Sequence, residues 1–430
     1  MRGICSLEGC FTMPIFISRQ SSWRTAFALL LLAYCEAGHA LTFEEALNLA
    51  ETQAPQIKAQ AANIASARLT RKSAGQLPDP KLEVGVENLP VSGPEQYSLT
   101  QDFMTMRRIG LMQDFPNEEK RRAQAEAARA GVDVAEKQMQ IERLTAMKGA
   151  ASAWIERDTV ERQLQFVDAL LEENRLFNAA VRAGVASGKG TLADGIIPRQ
   201  EAVSIENLRS DLLARREKAV AELERWIGKA GGEPLTGSVP DLPIDRDMLS
   251  HALHHHPELE IFDSRDRKLN AEISEAKAAK IPDWGVELAY QERAPQFGNM
   301  ASFQFTIALP VFPESRQDPR IAEKQSEKAA LDAEREATFR EHNAMLESDL
   351  AEYKRLSDMA RRQEETLIPL SEEKVRLTMA AWRGGKSGLA EVSSARRERI
   401  ETKLKAIELE GSRELVAVRL HYTMLPGVKP

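Results

Sequence analysis

Three stretches of this sequence combine residue types and spacings that suggest chemistry. The first is GVASGKGT, residues 184–191, which reads G-x-x-x-G-K-G-T. That is close to the G-x-x-x-x-G-K-[ST] loop whose backbone amides cradle phosphates. The second is HALHHHP, where His251, His254, His255 and His256 fall within about one helical turn. His251 and His255 are four apart, a spacing at which two imidazoles can share a metal ion. The third is the group Met104, Met106 and Met112, whose thioethers suit soft ions such as Cu(I) or Ag(I). No nucleophile with a base, carboxylate dyad or cofactor fingerprint accompanies them. The chain is therefore read as non-enzymatic and without a cofactor.

The elements that carry these residues change their meaning. GKGTLADGIIPRQEA begins at Gly188 and GKSGLAEVSSARRER at Gly385, with Gly, Lys, Leu, Ala, an acid, Arg and Glu recurring in step at an offset of 197 (188 to 385). The same offset relates Phe115-Pro116 to Phe312-Pro313. LNLAETQAPQI (47–57) resembles LSHALHHHPEL (249–259), and LPDPKLEVGVE (77–87) resembles IPDWGVELAY (281–290). Landmarks in the same order twice mark a tandem duplication. The expected organisation is a leader over 1–40, a first repeat over 41–227, a Gly- and Pro-rich linker over 228–246, and a second repeat over 247–425.

Each repeat reads alike. A helix comes first (43–76, then 247–280), and a Pro-Asp breaker stops it. Two short alternating runs follow, then a very long helix (118–181, then 319–381), the Gly-Lys turn, and a return helix (192–227, then 389–424). A phosphate loop must follow a strand. This turn follows a long helix and occurs twice, so it is read as the tip of a helical hairpin. Gly184 and Gly188 end one helix, Thr191 caps the next, and Asp194 suits its positive first turn. The histidines fall at the start of a helix far from the tip, and a solvated surface cluster is the plainer reading. No metal site is assigned beyond the candidates His251 and His255. The methionines have an ordinary reading as barrel residues.

The short runs alternate. Leu82, Val84 and Val86 oppose Glu83, Gly85 and Glu87; Trp284, Val286, Leu288 and Tyr290 oppose Gly285, Glu287, Ala289 and Gln291; Phe303, Phe305, Ile307 and Leu309 oppose Ser302, Gln304, Thr306 and Ala308. This is the period of a half-exposed strand, and it suits both a soluble sheet and a lipid-facing barrel wall. The run Met104–Gln113 fits less well: with Arg107 and Arg108 in its middle, one of them faces the apolar side or the register shifts. Four strands cannot close a transmembrane barrel, so a membrane role requires several chains.

The net charge of −7 on 430 residues is mild and no basic run is present, which sets nucleic acid aside. Charged residues at 29% and aromatics at 6% fit long helices. At the N-terminus, Arg19 and Arg24 precede the apolar run Ala26–Tyr34, and Gly38-His39-Ala40 offers a small-x-small cleavage site. Met13 is an alternative start. The apolar run is shorter than the roughly 20 residues of a span. Cys5, Cys10 and Cys35 all precede the cut, so the mature chain has no thiol for a disulfide, a zinc thiolate or a nucleophile. Lipidation at Cys35 is the alternative processing, with Tyr34 bulky for such a site.

The leader, the mature start LTFEEALNLA, the two helix–strand–strand–helix–hairpin halves and the paired G-K-x-x-L-A-[DE] tips together resemble the TolC-like outer-membrane efflux family. QDFPNEEKRRAQAEAA (113–128) looks most like the CusC and CzcC heavy-metal branch. The resemblance implies a mainly α fold with a small β part. Long hairpins form a tunnel, and three chains contribute four strands each to a twelve-strand outer-membrane barrel. It also implies a passive, gated conduit that works with a periplasmic adaptor and an inner-membrane proton-driven pump of the RND type. The family's acidic constriction ring falls on Glu391 and, for its second acid, on Ser394, so one charge per subunit is lost. Its linking Asp falls on Asp194, the aromatic partner on Trp382 in place of Tyr, and the linking Arg on Ser387, with Arg383 and Lys386 beside it. A simple capping role for Asp194 and Glu391 is compatible with this. Gly184, Val185, Gly188 and Lys189, with Gly384 and Gly385, would present small residues to adaptor helices. The competing readings are a periplasmic adaptor and a structural coiled coil.

Overall fold

The computed structural model describes residues 40–424. The leader, its cysteines and the alternative processing at Cys35 lie outside the described residues. The elements run α1 (Phe43–Gln53), α2 (Pro55–Ser73), β1 (Lys81–Glu87), β2 (Met106–Phe115), α3 (Glu118–Ala186) and α4 (Ile197–Ile227). After a short 3₁₀ turn follow α5 (Arg246–Leu253), α6 (Pro257–Ala278), β3 (Asp283–Glu292), β4 (Met300–Ala308), α7 (Pro313–Arg362), α8 (Ile368–Arg383) and α9 (Leu389–Met424). α3 has 69 residues, about 100 Å at the usual rise.

The expected first helix of each half is two helices. Ala54 (ψ 135°) and His256 (ψ 132°) are extended because each precedes a proline, Pro55 and Pro257, whose ring crowds the α conformation of its neighbour. The second long helix is also divided. A π turn over Gln363–Leu367 separates α7 from α8, just before Pro369, whose missing N–H removes a ladder bond.

The four strands form one antiparallel sheet in the order β1-β2-β3-β4. Strands β2, β3 and β4 have 10, 10 and 9 residues: β3 and β4 exceed the alternating runs 284–291 and 302–309, β2 is as long as the run 104–113 but starts and ends two residues later, and all three are long enough for a tilted crossing of about 9–11 residues. The sheet is tied to the helical body at one junction. Asn117 caps α3 by accepting from Lys120 N at 2.8 Å, and its own backbone N–H donates to Asp283 Oδ1 at 2.7 Å. Lys120 closes the junction with an ion pair to Asp283 Oδ2 at 3.0 Å.

The largest core lies where the first helix, both halves and the linker meet. Phe43, Ala46, Leu47 and Ala50 pack on Trp154, Ile155, Leu223, Val418 and Tyr422. Leu41 N–H donates to Pro234 O at 2.8 Å, so the start of the described chain is stitched to the segment between α4 and α5. A second core joins Leu249, Leu253 and Leu259 to Leu346, Leu409, Val416 and Leu420. The helices touch closely at small residues: a Cβ on Gly411 would stand 2.1 Å from Thr159 Oγ1.

Candidate functional site

The two hairpin tips have one backbone design. In the first, Gly188 N–H donates to Val185 O at 3.0 Å and Lys189 N–H to Gly184 O at 2.9 Å. In the second, Gly385 N–H donates to Trp382 O at 2.9 Å and Lys386 N–H to Ala381 O at 2.8 Å. These are the paired bonds of a Schellman helix end, which needs a left-handed residue at its apex. Gly188 (φ 75°) and Gly385 (φ 70°) supply it. The glycines of the G-K pairs are thus explained by helix termination.

Beyond the apex the tips differ. Asp194 Oδ2 accepts from Thr191 N at 2.7 Å and from Thr191 Oγ1 at 2.9 Å, while Asp194 N–H donates to Thr191 Oγ1 at 3.3 Å. This reciprocal box holds a turn, and α4 starts only at Ile197, five residues later than the expected Leu192. Pro198 cannot donate to Asp194 O, so regular helix is delayed. In the second tip α9 starts at Leu389 as expected.

Glu391 and Ser394 are exposed, one turn apart at the start of α9. Trp382 is partly buried against a small core of Phe177, Val181, Leu389 and Val392. Arg383, Gly384, Gly385 and Lys386 are exposed, as are Gly188 and Lys189, while Gly184 and Val185 are half-buried. Within one chain the carboxylate of Asp194 is turned to Thr191, not to Trp382, and the hydroxyl of Ser387 is buried without a hydrogen-bond partner.

Sequence reasoning missed the strongest polar link near the tips. Arg396, 2% exposed, donates to Glu201 Oε1 at 2.9 Å and to Glu173 Oε1 at 2.6 Å, and lies over the Phe177 ring at 4.5 Å. Arg399 adds a bond to Glu173 Oε2 at 2.7 Å. Burial pushes the Glu173 carboxyl up, but the two guanidiniums outweigh burial and hold it below its ordinary range. The repeat had aligned Arg396 with Arg199; only Arg396 is enclosed, while Arg199 is exposed. Glu173 sits in mid-helix with nothing local to mark it.

The sheet separates two chemistries. Register puts Leu82, Leu111, Leu288 and Phe303 in one row, with Val84, Ile109 and Tyr290 in the next and Phe115, Trp284 and Ile307 at the helical end. These side chains are open in the single chain, Leu82 at 66% and Phe303 at 73%. Arg107 does face this apolar side, with no register shift. It lies at the loop end, beside Glu292, and pairs with it at 3.0 Å. On the other face Arg108 bonds Glu87 at 2.5 Å and contacts Glu287, with Glu83 at 4.0 Å. Gly110 makes room there, since a Cβ would meet Glu287 Oε1 at 2.9 Å. Met106 and Met112 share that polar face; Met104 lies in the loop before β2.

The two candidate histidines lie side by side near the end of α5, where a solvated cluster is the plainer reading. The His251 and His255 rings are 6.2 Å apart, and His255 is exposed beside Glu260 at 3.8 Å. Helix α5 ends at Leu253, so the four histidines do not share one helical turn.

The described chain is a long helical body that carries a sheet with one apolar open face and one polar face. Residues 46–229 match the family described as outer membrane efflux protein. No curated protein sequence matches the chain. Over nearly its whole length the fold is similar to that of a membrane protein from Pseudomonas aeruginosa, with TM-score 0.76, 17% identity, and 89% of this chain and 90% of that one covered. It is equally similar to CusC, with TM-score 0.76, 16% identity and coverage of 90% and 92%. VceC from Vibrio cholerae follows, with TM-score 0.74, 16% identity and coverage of 90% and 97%. Residues 46–229 thus resemble the outer membrane efflux protein family, and the described chain as a whole shares the fold of these solved structures.

Proposed function

We propose that three copies of this chain close one twelve-strand barrel in outer-membrane lipid, each copy a tandem duplication over 41–227 and 247–425 behind a cleaved leader. The observation that supports this best is the sheet. Its apolar face is uncovered, and among the described residues the outer edges of β1 and β4 have no strand partner. Free edges of this kind invite pairing with another chain. Pairs of cysteines, one in β1 and one in β4, test it, because the mature chain has no native thiol. Oxidation of outer membranes is expected to give a covalent ladder that ends at three chains. A ladder that stops at two would refute the threefold barrel.

In this reading Glu391 and Ser394 line the periplasmic constriction, and Asp194, Trp382, Arg383 and Lys386 hold neighbouring hairpins closed. Exposure of Glu391 and Ser394 on one face of α9 fits that role. Glu391→Ala should raise or alter single-channel conductance in a planar bilayer; an unchanged record would leave Glu391 as a helix cap. The tips, through Gly184, Val185, Gly188, Lys189, Gly384 and Gly385, would receive the helices of a periplasmic adaptor, and through it an RND-type pump. The cargo we assign is heavy-metal cations, on the likeness of residues 113–128 to the CusC and CzcC branch. Loss of the protein should then raise cellular sensitivity to Zn²⁺, Co²⁺, Cu⁺ or Ag⁺, and sensitivity to organic compounds alone would refute that cargo.

A further inference from the structure

Away from both tip and sheet, the break between α5 and α6 brings together groups that the channel role does not use. His256, 2% exposed, is the extended residue before Pro257. His342 of α7, 6% exposed, lies with its ring centroid 4.6 Å from that of His256. Glu258 of α6 stands beside both: its Oε2 is 2.9 Å from His342 Nε2, and its backbone N–H donates to His256 Nδ1 at 3.2 Å. The other nitrogen of His342, Nδ1, is buried and has no hydrogen-bond partner. One nitrogen from each ring and one carboxylate oxygen lie within 4.8 Å of one another.

We propose that His256, Glu258 and His342 form a binding site for a divalent transition-metal cation, with Zn²⁺ the best match. Two imidazoles and one carboxylate are a ligand set that zinc takes at about 2.0–2.2 Å, leaving a fourth position for water. Ligands at those distances are roughly 3.3 Å apart, so about an ångström of inward side-chain rotation closes the triangle. The carboxylate side is half-open to solvent, Glu258 at 44%, which provides an entry path and room for the water. Nitrogen-rich sites favour Zn²⁺, Ni²⁺ or Co²⁺ over Mg²⁺ or Ca²⁺. The ion would staple the kinked start of α6 to the middle of α7, so binding would stabilise the periplasmic body. The site stands apart from whatever passes through the tunnel, and its test does not depend on the cargo.

The detergent-extracted mature protein is stripped with chelator, exposed to Zn²⁺, desalted and assayed for bound metal. One Zn²⁺ per chain is expected, with a higher melting temperature in Zn²⁺ than in chelator. Co²⁺ in its place should give the intense visible bands of four-coordinate cobalt. His342→Gln and Glu258→Gln should each weaken binding at least tenfold, in keeping with loss of a ligand, while His251→Gln/His255→Gln should leave it unchanged. Glu258→Gln alters a half-open side chain, so it reports on the site even if His342→Gln fails to fold. The proposal is overturned if the wild-type chain retains no zinc, if its cobalt form shows only the faint bands of a hydrated ion, or if binding survives Glu258→Gln and disappears with the surface pair.

Discussion

Arg396 and Glu201, 195 residues apart in the chain, are joined by a 2.9 Å charge-assisted hydrogen bond. Because Arg396 also reaches Glu173, one buried guanidinium fastens the second return helix to both helices of the first hairpin. Removing it leaves Glu201, its side chain only 10% exposed, without its cation. Arg396→Met should therefore cost about 3–5 kcal/mol of stability, and adding Glu201→Gln should restore part of that. Thermal melts of the two variants check it; a single variant that melts like the wild type would show that the link contributes nothing.

At the tips, Gly188→Ala and Gly385→Ala place a Cβ on left-handed backbone and should each cost about 1–2 kcal/mol. Gly184→Ala lies within α3, and the space around it is open. It should be neutral or stabilise by about 0.5–1 kcal/mol. Chemical denaturation of the three variants separates these outcomes, and equal effects at Gly184 and Gly188 would contradict the helix-end assignment.

For the sheet, register sharpens which positions are diagnostic. Leu288 lies in the row with Leu82, Leu111 and Phe303, between the two ends of the sheet, whereas Val86 neighbours the Arg107–Glu292 rim. Leu288→Arg should impair membrane assembly by about 2–4 kcal/mol, and Val86→Arg by about 0–1 kcal/mol. Gln304→Arg, on the polar face, should assemble normally. Heat-resistant assembly on unheated gels reads the difference; tolerance of arginine at Leu288 would place the sheet outside lipid.

A pH dependence follows from the contact between α3 and α9. Burial pushes the Glu414 carboxyl up to about 7 from its ordinary 4.5, Arg162 opposes the rise, and Glu410 and Asp158 add to it. Between those values the folded chain holds a proton that the unfolded chain has released. The resulting stability is complete below about 4.5 and is lost as pH rises through about 7. Glu414→Gln should therefore melt higher than the wild type at pH 8, by on the order of 1 kcal/mol given its partial exposure, and alike at pH 4.5. Parallel melting curves at the two pH values would exclude the effect.

Local periodicity carried most of what the sequence discloses. Alternation at 81–87 and 284–291 marks strands because one face must meet apolar surroundings, and the doubled Gly-Lys turns mark helix ends because only glycine sits easily at φ near +70°. Strand ends were harder: β2 runs on through Asp114 and Phe115, where Phe115 stacks on Trp284 of β3 at 4.2 Å, a contact from far along the chain. The proline breaks after Ala54 and His256 were legible in principle from the residue before each proline. The delayed start of α4 was legible from Pro198. What no local pattern shows is pairing across the chain. Arg396 with Glu173, and His256 with His342, join residues far apart in sequence whose neighbours carry no signature. The histidine run pointed to His251 and His255, the exposed members, while the buried member found its partner on α7.

The account turns on a barrel shared between chains. The most direct measurement is the native mass and fractionation of the unheated, detergent-extracted mature protein. The account predicts a species of three chain masses, recovered only with the outer membrane. A soluble periplasmic monomer or dimer would contradict it.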